Sequence, residues 1–422
     1  MKKNKLIILL SLLIYSVSAQ ELINSYSFID GFGILPRNPI ERKSDIVIPY
    51  TITKNKDKKA GVLFLNKDNS IKAAYLFKGK NNYVINEIIV AQNENLLLSA
   101  EGYSEEGQES LYFIELDESK IINEFIYNEN GNELDPFAIL ENNIDNIIIG
   151  GFVKSRELVS SSFYNMYSEK QMIYVAEFSK DGKKKWSKGI NLVGFENGIC
   201  NQMIKNSESI FMLCHANKIG GKMTPFIIKL DLNGDIEEII QIDKENTNLI
   251  GSKIINKDKN IQFIGSYSNE HGFLINCLFD NNLELIKKFK YELPGRILIN
   301  NFSDNYILGG LIKENSYDNF AINLSKDLCK LIEFGSEKTD MLVGVNNDFF
   351  LGYRIGDQDF NSKIMTFKNS QIFTIHDKKS LELIINNNIN FRIESKFISS
   401  TINKGVEKVE IVDVTDKFLV YE

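Results

Sequence analysis

Three histidines are the residues best suited to bind a metal ion or to transfer a proton, and their spacing favours neither role. His215 ends an apolar segment, His271 lies beside a glycine in a polar stretch, and His376 is near the C-terminus. No pair has the HxH or HxxxH spacing that would place two metal ligands on one strand or one helical turn. The sequence therefore predicts no metal site and no cofactor.

Nucleophilic and carboxylate chemistry also lack a sequence signature. No Gly-x-Ser-x-Gly motif occurs, so a serine nucleophile on a strand-to-helix turn is not indicated. Asp231 and Asp235 resemble the start of a calcium loop, but Ile242 occupies the twelfth position, where such loops need a bidentate glutamate. Acidic pairs such as Glu237-Glu238 are typical of a solvated surface. We predict no catalytic residues.

A long insertion at residues 154–171 is the main irregular feature of the chain. It carries Phe163, Tyr164, Met166 and Tyr167 beside a run of serines. Loops on a rigid scaffold commonly carry function, and aromatic residues and methionine are enriched in contact surfaces. We interpret these four residues as a partner-binding surface. The alternative is that they fold back onto the protein as a plug or a lid.

The elements that would position this insertion form a repeat. Short apolar segments, each entered from Asn, Asp or Ser, recur 43 to 63 residues apart. Each is followed by a further apolar segment, a turn and another strand-like run, and helical periodicity is nearly absent. Periods near this length indicate propeller blades. The segments begin at Asp45, Asn95, Asn146, Ser209, Asn260, Asn305 and Asp348.

The repeat predicts an all-β fold, a β-propeller of seven four-stranded blades, over residues 20–375. Residues 22–29 read as an additional strand, which in a closed ring completes the last blade so that no edge stays open. Residues 376–422 contain four short strand-like runs without the turn signals of the repeat. They are expected to form an extra blade, giving eight in all, or an appendage on one face.

Small residues end most of the second strands, as at Gly150-Gly151. Where neighbouring blades come close, bulky side chains would clash, so we interpret these residues as a packing requirement. The alternative, a glycine-rich phosphate site, needs a helix to follow. Cys200 and Cys214 flank a turn centred on Ser207, so a hairpin would place them opposite each other. We expect buried thiols, with a disulfide as the alternative.

The first residues predict export. Residues 1–19 contain a lysine-rich start, an apolar run at residues 6–15 and small residues Val17 and Ala19 before Gln20, which together are typical of a cleaved signal peptide. Its removal takes the formal net charge from −7 to −10. An acidic surface argues against nucleic acid as a partner. We predict a periplasmic or extracellular protein without a membrane span, and a monomer.

The segment Phe-Ile-Ile-Lys-Leu-Asp-Leu-Asn-Gly-Asp-Ile at residues 226–236 resembles the degenerate repeats of exported bacterial propellers, including quinoprotein-like and WD40-like repeats. Residues 182–186 resemble the Gly-Lys-x-x-Trp element of quinoprotein-like blades. The resemblance implies that Trp186 docks between neighbouring blades. Quinone-dependent dehydrogenases repeat this element in most blades and this chain has it once, so the resemblance implies a fold and no cofactor.

These observations favour a non-enzymatic exported propeller that binds a protein or glycan partner through one face. The alternative is an exported hydrolase or lyase acting on glycans or peptides in the axial funnel. Convergence of acidic and aromatic residues from several blades at one mouth of the channel would favour the enzyme, because a small-substrate site needs such a cluster.

Overall fold

The computed structural model describes residues 22–28, 33–54, 57–78, 82–103, 109–128, 133–160, 165–218, 220–243, 249–267, 272–293, 295–303, 306–313, 316–324, 328–334, 340–345, 349–354, 363–368, 374–377, 385–386, 391–394, 401–403, 410–413 and 418–421. The predicted signal peptide lies outside them. The described residues form 35 β-strands, and no helix among them is long and apolar enough to cross a membrane.

The strands form seven antiparallel sheets in the described residues, numbered here in chain order. Sheet 1 contains β2 (Gly33–Pro36), β3 (Ile40–Glu41), β4 (Ile46–Lys54), β5 (Asp57–Leu65) and β6 (Ile71–Lys78). Sheet 2 contains β7 (Asn82–Val90), β8 (Leu96–Tyr103), β9 (Glu109–Asp117) and β10 (Lys120–Asn128). Sheet 3 contains β11 (Glu133–Asn143), β12 (Asn146–Ser160), β13 (Asn165–Ser179) and β14 (Lys184–Leu192).

The second half of the chain repeats the pattern. Sheet 4 contains β15 (Glu196–Lys205), β16 (Ser209–Asn217), β17 (Met223–Asp231) and β18 (Ile236–Ile242). Sheet 5 contains β19 (Leu249–Lys257), β20 (Asn260–Tyr267), β21 (Phe273–Phe279) and β22 (Leu285–Glu292). Sheet 6 contains β23 (Arg296–Ser303), β24 (Tyr306–Lys313), β25 (Ser316–Leu324) and β26 (Leu328–Phe334). Sheet 7 contains β27 (Asp340–Val345), β28 (Phe349–Arg354), β29 (Lys363–Lys368) and β1 (Leu22–Phe28).

The all-β prediction is confirmed, and the repeating unit is the four-stranded antiparallel sheet of a β-propeller. Strand β1 lies between β29 and β35 (Phe418–Tyr421), so the N-terminal strand belongs to the same sheet as the last repeat unit, as predicted. This long-range pairing places β1 in the interior of the sheet and β35 at its edge.

The remaining C-terminal strands extend the outer edges of other sheets. Successive strands pair with β26 of sheet 6, β18 of sheet 4, β14 of sheet 3, β10 of sheet 2 and β6 of sheet 1. The segment thus adds an outer strand to six sheets in turn, counting β35 on sheet 7. The predicted boundary at residue 376 falls inside the first of them. These strands are β30 (Thr374–Asp377), β31 (Ile385–Asn386), β32 (Phe391–Glu394), β33 (Thr401–Asn403) and β34 (Glu410–Asp413).

The second strand of sheet 4, β16, is apolar on both faces because another sheet packs on each side of it. In β16, Met212 and Cys214 belong to a buried cluster shared with sheet 3. The alternate residues Phe211 and Leu213 belong to a cluster shared with sheet 5. Side chains alternate between the two faces of a strand, so a buried middle strand must be apolar at every position.

The glycine pair of sheet 3 supports the packing interpretation. A Cβ added to Gly150 would lie 2.8 Å from the Sγ of Cys200 in sheet 4, and one added to Gly151 would clash with the backbone oxygen of Asp135. The following element is strand β13, so the helix that a phosphate site requires does not follow. These glycines therefore permit the close approach of neighbouring strands.

Trp186 makes the inter-sheet contact that the resemblance implies. Gly234, in the β17–β18 hairpin of sheet 4, has a φ of +85°. A Cβ at this glycine would lie 2.6 Å from the indole ring of Trp186 in sheet 3. The indole Nε1 donates a hydrogen bond to Glu177 at 2.7 Å. The ring therefore packs against the next hairpin while its polar atom bonds within its own sheet.

Cys200 and Cys214 are cross-strand partners in the β15–β16 hairpin, as predicted. Both are fully buried free thiols, as is Cys277. Burial is the main cause that raises the pKa of Cys214, with the adjacent Cys200 as the second. The side chain of Cys329 lies outside the described residues.

Candidate functional site

A β-bulge recurs at the same place in the first strand of sheets 2 to 7. In each of these strands, one extra residue shifts the pairing register with the second strand. A bulge of this kind changes the direction of the side chains that follow it. The residues immediately after the bulge are Glu87, Ala138, Gln202, Lys253, Asn301 and Gly344. These six positions are therefore structurally equivalent, and their chemistry differs from sheet to sheet.

The first strands surround a cavity of about 520 Å³, here called the axial cavity. Its wall comes mainly from first strands of four sheets, with contributions from the second and third strands of sheet 4 and from the segment before β3. A cavity of this volume is within the usual range for small-molecule sites. The lining residues are Asn38, Glu87, Ile199, Asn201, Gln202, His215, Met223, Ile250, Gly251, Ser252, Lys253 and Ile299.

His215 is fixed between two sheets by both ring nitrogens. The backbone N–H of Gly251 in sheet 5 donates to Nε2 at 3.1 Å, so Nε2 carries no proton. Nδ1 must then carry the proton, which it donates to the Oδ1 of Asn201 at 2.6 Å. Burial lowers the pKa of His215 to about 4. The imidazole is therefore neutral at physiological pH and serves as a structural link.

Glu87 occupies the place after the bulge of sheet 2 and accepts a hydrogen bond from the backbone N–H of Ile139 in sheet 3 at 2.6 Å. Burial raises the pKa of this carboxyl to about 8, although the Ile139 bond and the positive charge of Lys253 act in the opposite direction. Glu87 is thus protonated at neutral pH.

In sheet 4, Gln202 occupies the position equivalent to Glu87 in sheet 2. Its Oε1 accepts from the backbone N–H of Ile254 at 2.8 Å, and its Nε2 donates to the backbone oxygen of the same residue at 3.1 Å. A protonated Glu87 has the same donor and acceptor pair as this amide. Both residues link the first strand of one sheet to the first strand of the next.

We expect Glu87→Gln to stabilise the protein increasingly as pH rises. The folded-state pKa of Glu87 lies above its unfolded value of 4.5, so the wild type loses stability between about pH 4.5 and pH 8, whereas glutamine does not titrate. Each pKa unit corresponds to about 1.4 kcal/mol, and water in the cavity reduces the effect, so we expect a gain of about 2 kcal/mol at pH 8. Urea unfolding at pH 5 and pH 8 measures it.

The matched control for this change is Glu196→Gln, because Glu196 is exposed at the start of β15. Its substitution is expected to change stability by less than about 0.5 kcal/mol at either pH. A Glu87→Gln protein that is less stable than the wild type at pH 8 would show that the carboxylate is ionised and needed in the fold.

Several sheets contribute polar residues to the axial cavity. The cluster of acidic and aromatic residues that would favour an enzyme is not found among its described lining residues. Among the described lining residues, Glu87 is the sole carboxyl group, and none is aromatic. In the described part of the chain, no group of three or more His, Cys, Asp or Glu residues is placed to hold a metal ion. Glycoside hydrolysis generally needs two carboxyl groups flanking the bond. The described lining of the cavity supplies one of these two groups.

Two of the four predicted partner-binding residues, Met166 and Tyr167, lie near the end of a two-stranded extension of sheet 3. Met166 pairs with Val159 and Tyr167 with Leu158 in the β12–β13 ladder. Phe163 and Tyr164 lie outside the described residues. His271 also lies outside them, and His376 is in β30 on the outer edge of sheet 6, whereas His215 is in β16 of sheet 4. For Met166 and Tyr167 the structure describes the backbone and not the side chain.

The base of this extension reaches the wall of the axial cavity. Gln171 donates through Nε2 to the backbone oxygen of Gly198 in sheet 4 at 3.4 Å. Gly198 is adjacent to Ile199, which lines the cavity. In sheet 3, β12 continues into the extension beyond the first residue of β11. Met223 in sheet 4 and Ile250 in sheet 5 lie at the corresponding end of their sheets, where the first strand begins. The extension and these cavity residues thus share one face.

No family model and no curated protein matches this sequence. Among solved structures, the chain is similar to the subtype N10 neuraminidase-like protein of A/little yellow-shouldered bat/Guatemala/060/2010, with 10% identity over 69% of this chain and 100% of that chain and a TM-score of 0.37. It is also similar to the WD40 domain of SCAP from fission yeast, with 10% identity over 83% and 99% and a TM-score of 0.34. A levansucrase variant from B. megaterium gives 8% identity over 86% and 96% and a TM-score of 0.30.

Proposed function

We propose that the chain is an exported, closed propeller of seven blades that binds a protein or glycan partner without catalysing a reaction. The face that carries the 154–171 ribbon, the two-stranded extension of sheet 3, is the binding face. Sheets 1 to 7 supply the blades, and β1 closes the ring by pairing with β29. The signal sequence at residues 1–19 supports export.

The length of the ribbon is the observation that carries this proposal. Strands β12 and β13 have 15 residues each, whereas the first strand β11 pairs with β12 only up to Lys154. Beyond that point, residues 155–160 pair with residues 165–170 and with no third strand in the described part of the chain. Six residues of strand extend about 20 Å. The ribbon therefore reaches well past the first strand of the sheet, and Tyr167 lies near its end.

A binding role fits the ribbon better than a role in packing within one sheet. A paired ribbon is stiffer than a loop of equal length, so it presents its end with a smaller loss of entropy on binding. Tyrosine and phenylalanine supply large contact areas at interfaces. In the described lining of the axial cavity, the carboxyl group of Glu87 already accepts a hydrogen bond from the backbone of Ile139, which fits a structural role for this group.

Replacing Phe163, Tyr164 and Tyr167 together with alanine is expected to abolish partner capture while leaving the melting temperature nearly unchanged. Surface substitutions generally change stability by less than about 0.5 kcal/mol. Capture is measured by placing a photo-crosslinking amino acid at position 166 in the native cell, in the wild type and in the triple variant. One dominant crosslinked product is expected in the wild type and none in the variant.

The matched control places the same crosslinker at Glu118, an exposed residue of the β9–β10 turn. It should give no product of that size. If the triple variant instead loses about 3 kcal/mol or more per ring, the aromatics are buried as a plug and the binding role is wrong. Identical products from positions 166 and 118 would also contradict the proposal.

A further inference from the structure

We propose that a group of sulfur atoms on one face of sheet 4 binds a soft monovalent cation, Cu⁺, with Cys200, Cys214 and Met203 as ligands. The thioether of Met212 completes the group, here called the sulfur cluster. None of its four residues is among the described residues that line the axial cavity, and none belongs to the 154–171 ribbon. The proposal follows from the pairing of these residues, from their position at one glycine and from the chemistry of sulfur donors.

The β15–β16 ladder places the four residues as two cross-strand pairs. Cys200 is opposite Cys214, and Met203 is opposite Met212. All four side chains belong to the buried cluster that sheet 4 shares with sheet 3, so they occupy the same face of sheet 4. The Cβ atoms of cross-strand partners are about 4.5–5.5 Å apart, which brings the two sulfur atoms of a pair within reach of one ion.

The two pairs approach each other at Gly150 of sheet 3. A Cβ built on this glycine would lie 2.8 Å from the Sγ of Cys200 and 3.1 Å from the Sδ of Met203, so sulfur atoms from both pairs are close neighbours there. The thiol of Cys200 donates to the backbone oxygen of Gln202 at 3.7 Å, which leaves the lone pairs of this sulfur for an ion.

The kind of ion follows from the donors. Thiolates and thioethers select soft cations such as Cu⁺, whereas zinc sites in proteins use thiolate, imidazole and carboxylate ligands. Within the described residues, no His, Asp or Glu joins the two cysteines in an arrangement that could hold a metal ion. The thioethers therefore favour Cu⁺ over Zn²⁺.

Burial favours a monovalent ion. Burial is the main cause that raises the pKa of Cys214, so this thiol is protonated at neutral pH. When Cu⁺ binds, one S–H bond breaks, one S–Cu bond forms and the proton passes to the solvent. The product of Cu⁺ and one thiolate has no net charge, which is the state that an apolar site accepts at the lowest cost.

Binding is measured under anaerobic conditions with the reduced mature protein and Cu⁺ supplied as its bicinchoninate complex, whose absorbance falls as the protein removes the ion. We expect one Cu⁺ per chain and an apparent affinity that rises about tenfold per pH unit between pH 6 and pH 8, because one proton is released. Cys200→Ala and Cys214→Ala should leave the ion with bicinchoninate. Met203→Leu should weaken binding at least about tenfold.

The matched controls are residues of the same types outside the sulfur cluster. Cys277→Ala removes a fully buried thiol of sheet 5, and Met172→Leu removes a buried thioether of sheet 3. Both changes, and Cys329→Ala, should leave the stoichiometry and the affinity unchanged. Met203→Leu conserves side-chain volume, so it tests the thioether in a protein that keeps its packing. Bound Cu⁺ should also raise the melting temperature of the wild type, since it binds the folded state.

The proposal is overturned if bicinchoninate keeps all the Cu⁺, if Met203→Leu binds as tightly as the wild type, or if the control variants lose the same affinity. A disulfide between Cys200 and Cys214 in protein isolated from the native cell would overturn it too, because it removes both thiols. X-ray absorption of the copper complex should show sulfur as the sole neighbour, and nitrogen or oxygen ligands would contradict the site. Deletion of residues 155–170 should leave Cu⁺ binding unchanged, which distinguishes this site from the proposed partner surface.

Discussion

Deleting residues 20–32 is expected to lower the free energy of unfolding by at least about 5 kcal/mol, which is comparable to the whole stability of many domains. The deletion removes β1, which lies in the interior of sheet 7 between β29 and β35. Its loss removes the described partner of β35 and exposes one edge of β29, which keeps its pairing with β28, and it opens the proposed ring at an exposed edge. Circular dichroism during urea unfolding, for chains beginning at Gln20 and at Gly33, measures the difference.

A synthetic peptide of residues 20–32 provides the control for this deletion. If β1 acts by pairing, the peptide added in excess should restore part of the lost stability, because a ligand that binds only the folded state stabilises it. A peptide of scrambled sequence should have no effect. A truncated chain that unfolds at the same urea concentration as the mature chain would show that β1 does not close the fold.

The fold could be predicted in large part because its signals are local. A middle strand such as β16 is apolar at nearly every position, and the hairpin at Gly234 has the glycine that a positive φ requires. The cross-strand pairing of Cys200 and Cys214 follows from the centre of one turn. Each of these features depends on residues close together in the chain.

The outer strands and the axial cavity could not be predicted in the same way. Strand β31 has two residues and β33 has three, and each pairs with a sheet more than a hundred residues away in sequence. Pairs that short and distant leave no periodic pattern. The link from Gly251 through His215 to Asn201 depends on a bulge that shifts the register between Cys200 and Gln202. A polar residue follows the bulge in four of the six first strands that contain it, and this recurrence is the signal that could have found the cavity.

Asp45, the first residue of the first repeat unit, holds two cations at the start of β4. Its carboxylate is fully buried and accepts two hydrogen bonds of 2.7 Å from Arg42 and one of 2.8 Å from Lys72. Burial alone would raise the pKa of Asp45, but the bonds from Arg42 and Lys72 outweigh it and lower the pKa to about 2. Arg42 also bonds to the backbone oxygen of Glu94 in sheet 2 at 3.3 Å.

Arg42→Met is therefore expected to destabilise the protein by about 3 kcal/mol at neutral pH, because it leaves a buried carboxylate with Lys72 as its remaining cation. Lys43→Met is the matched control. Lys43 is adjacent, and its ion pair with Glu94 is largely exposed, so its loss should change stability by less than about 0.5 kcal/mol. Urea unfolding of both variants at pH 6 measures the effect.

The same pair of variants gives a pH test with a defined sign. The folded-state pKa of Asp45 lies below its unfolded value of 3.8, so its contribution is present above about pH 4 and is lost as pH falls towards 2. The deficit of Arg42→Met should thus be largest at pH 6 and smaller at pH 3.5. Adding Asp45→Asn to Arg42→Met should recover part of the loss, since no buried charge remains unpaired. A deficit that is independent of pH and unaffected by Asp45→Asn would mean that Arg42 acts through its packing over Phe64, at 5.3 Å from the ring centre, and not through the carboxylate.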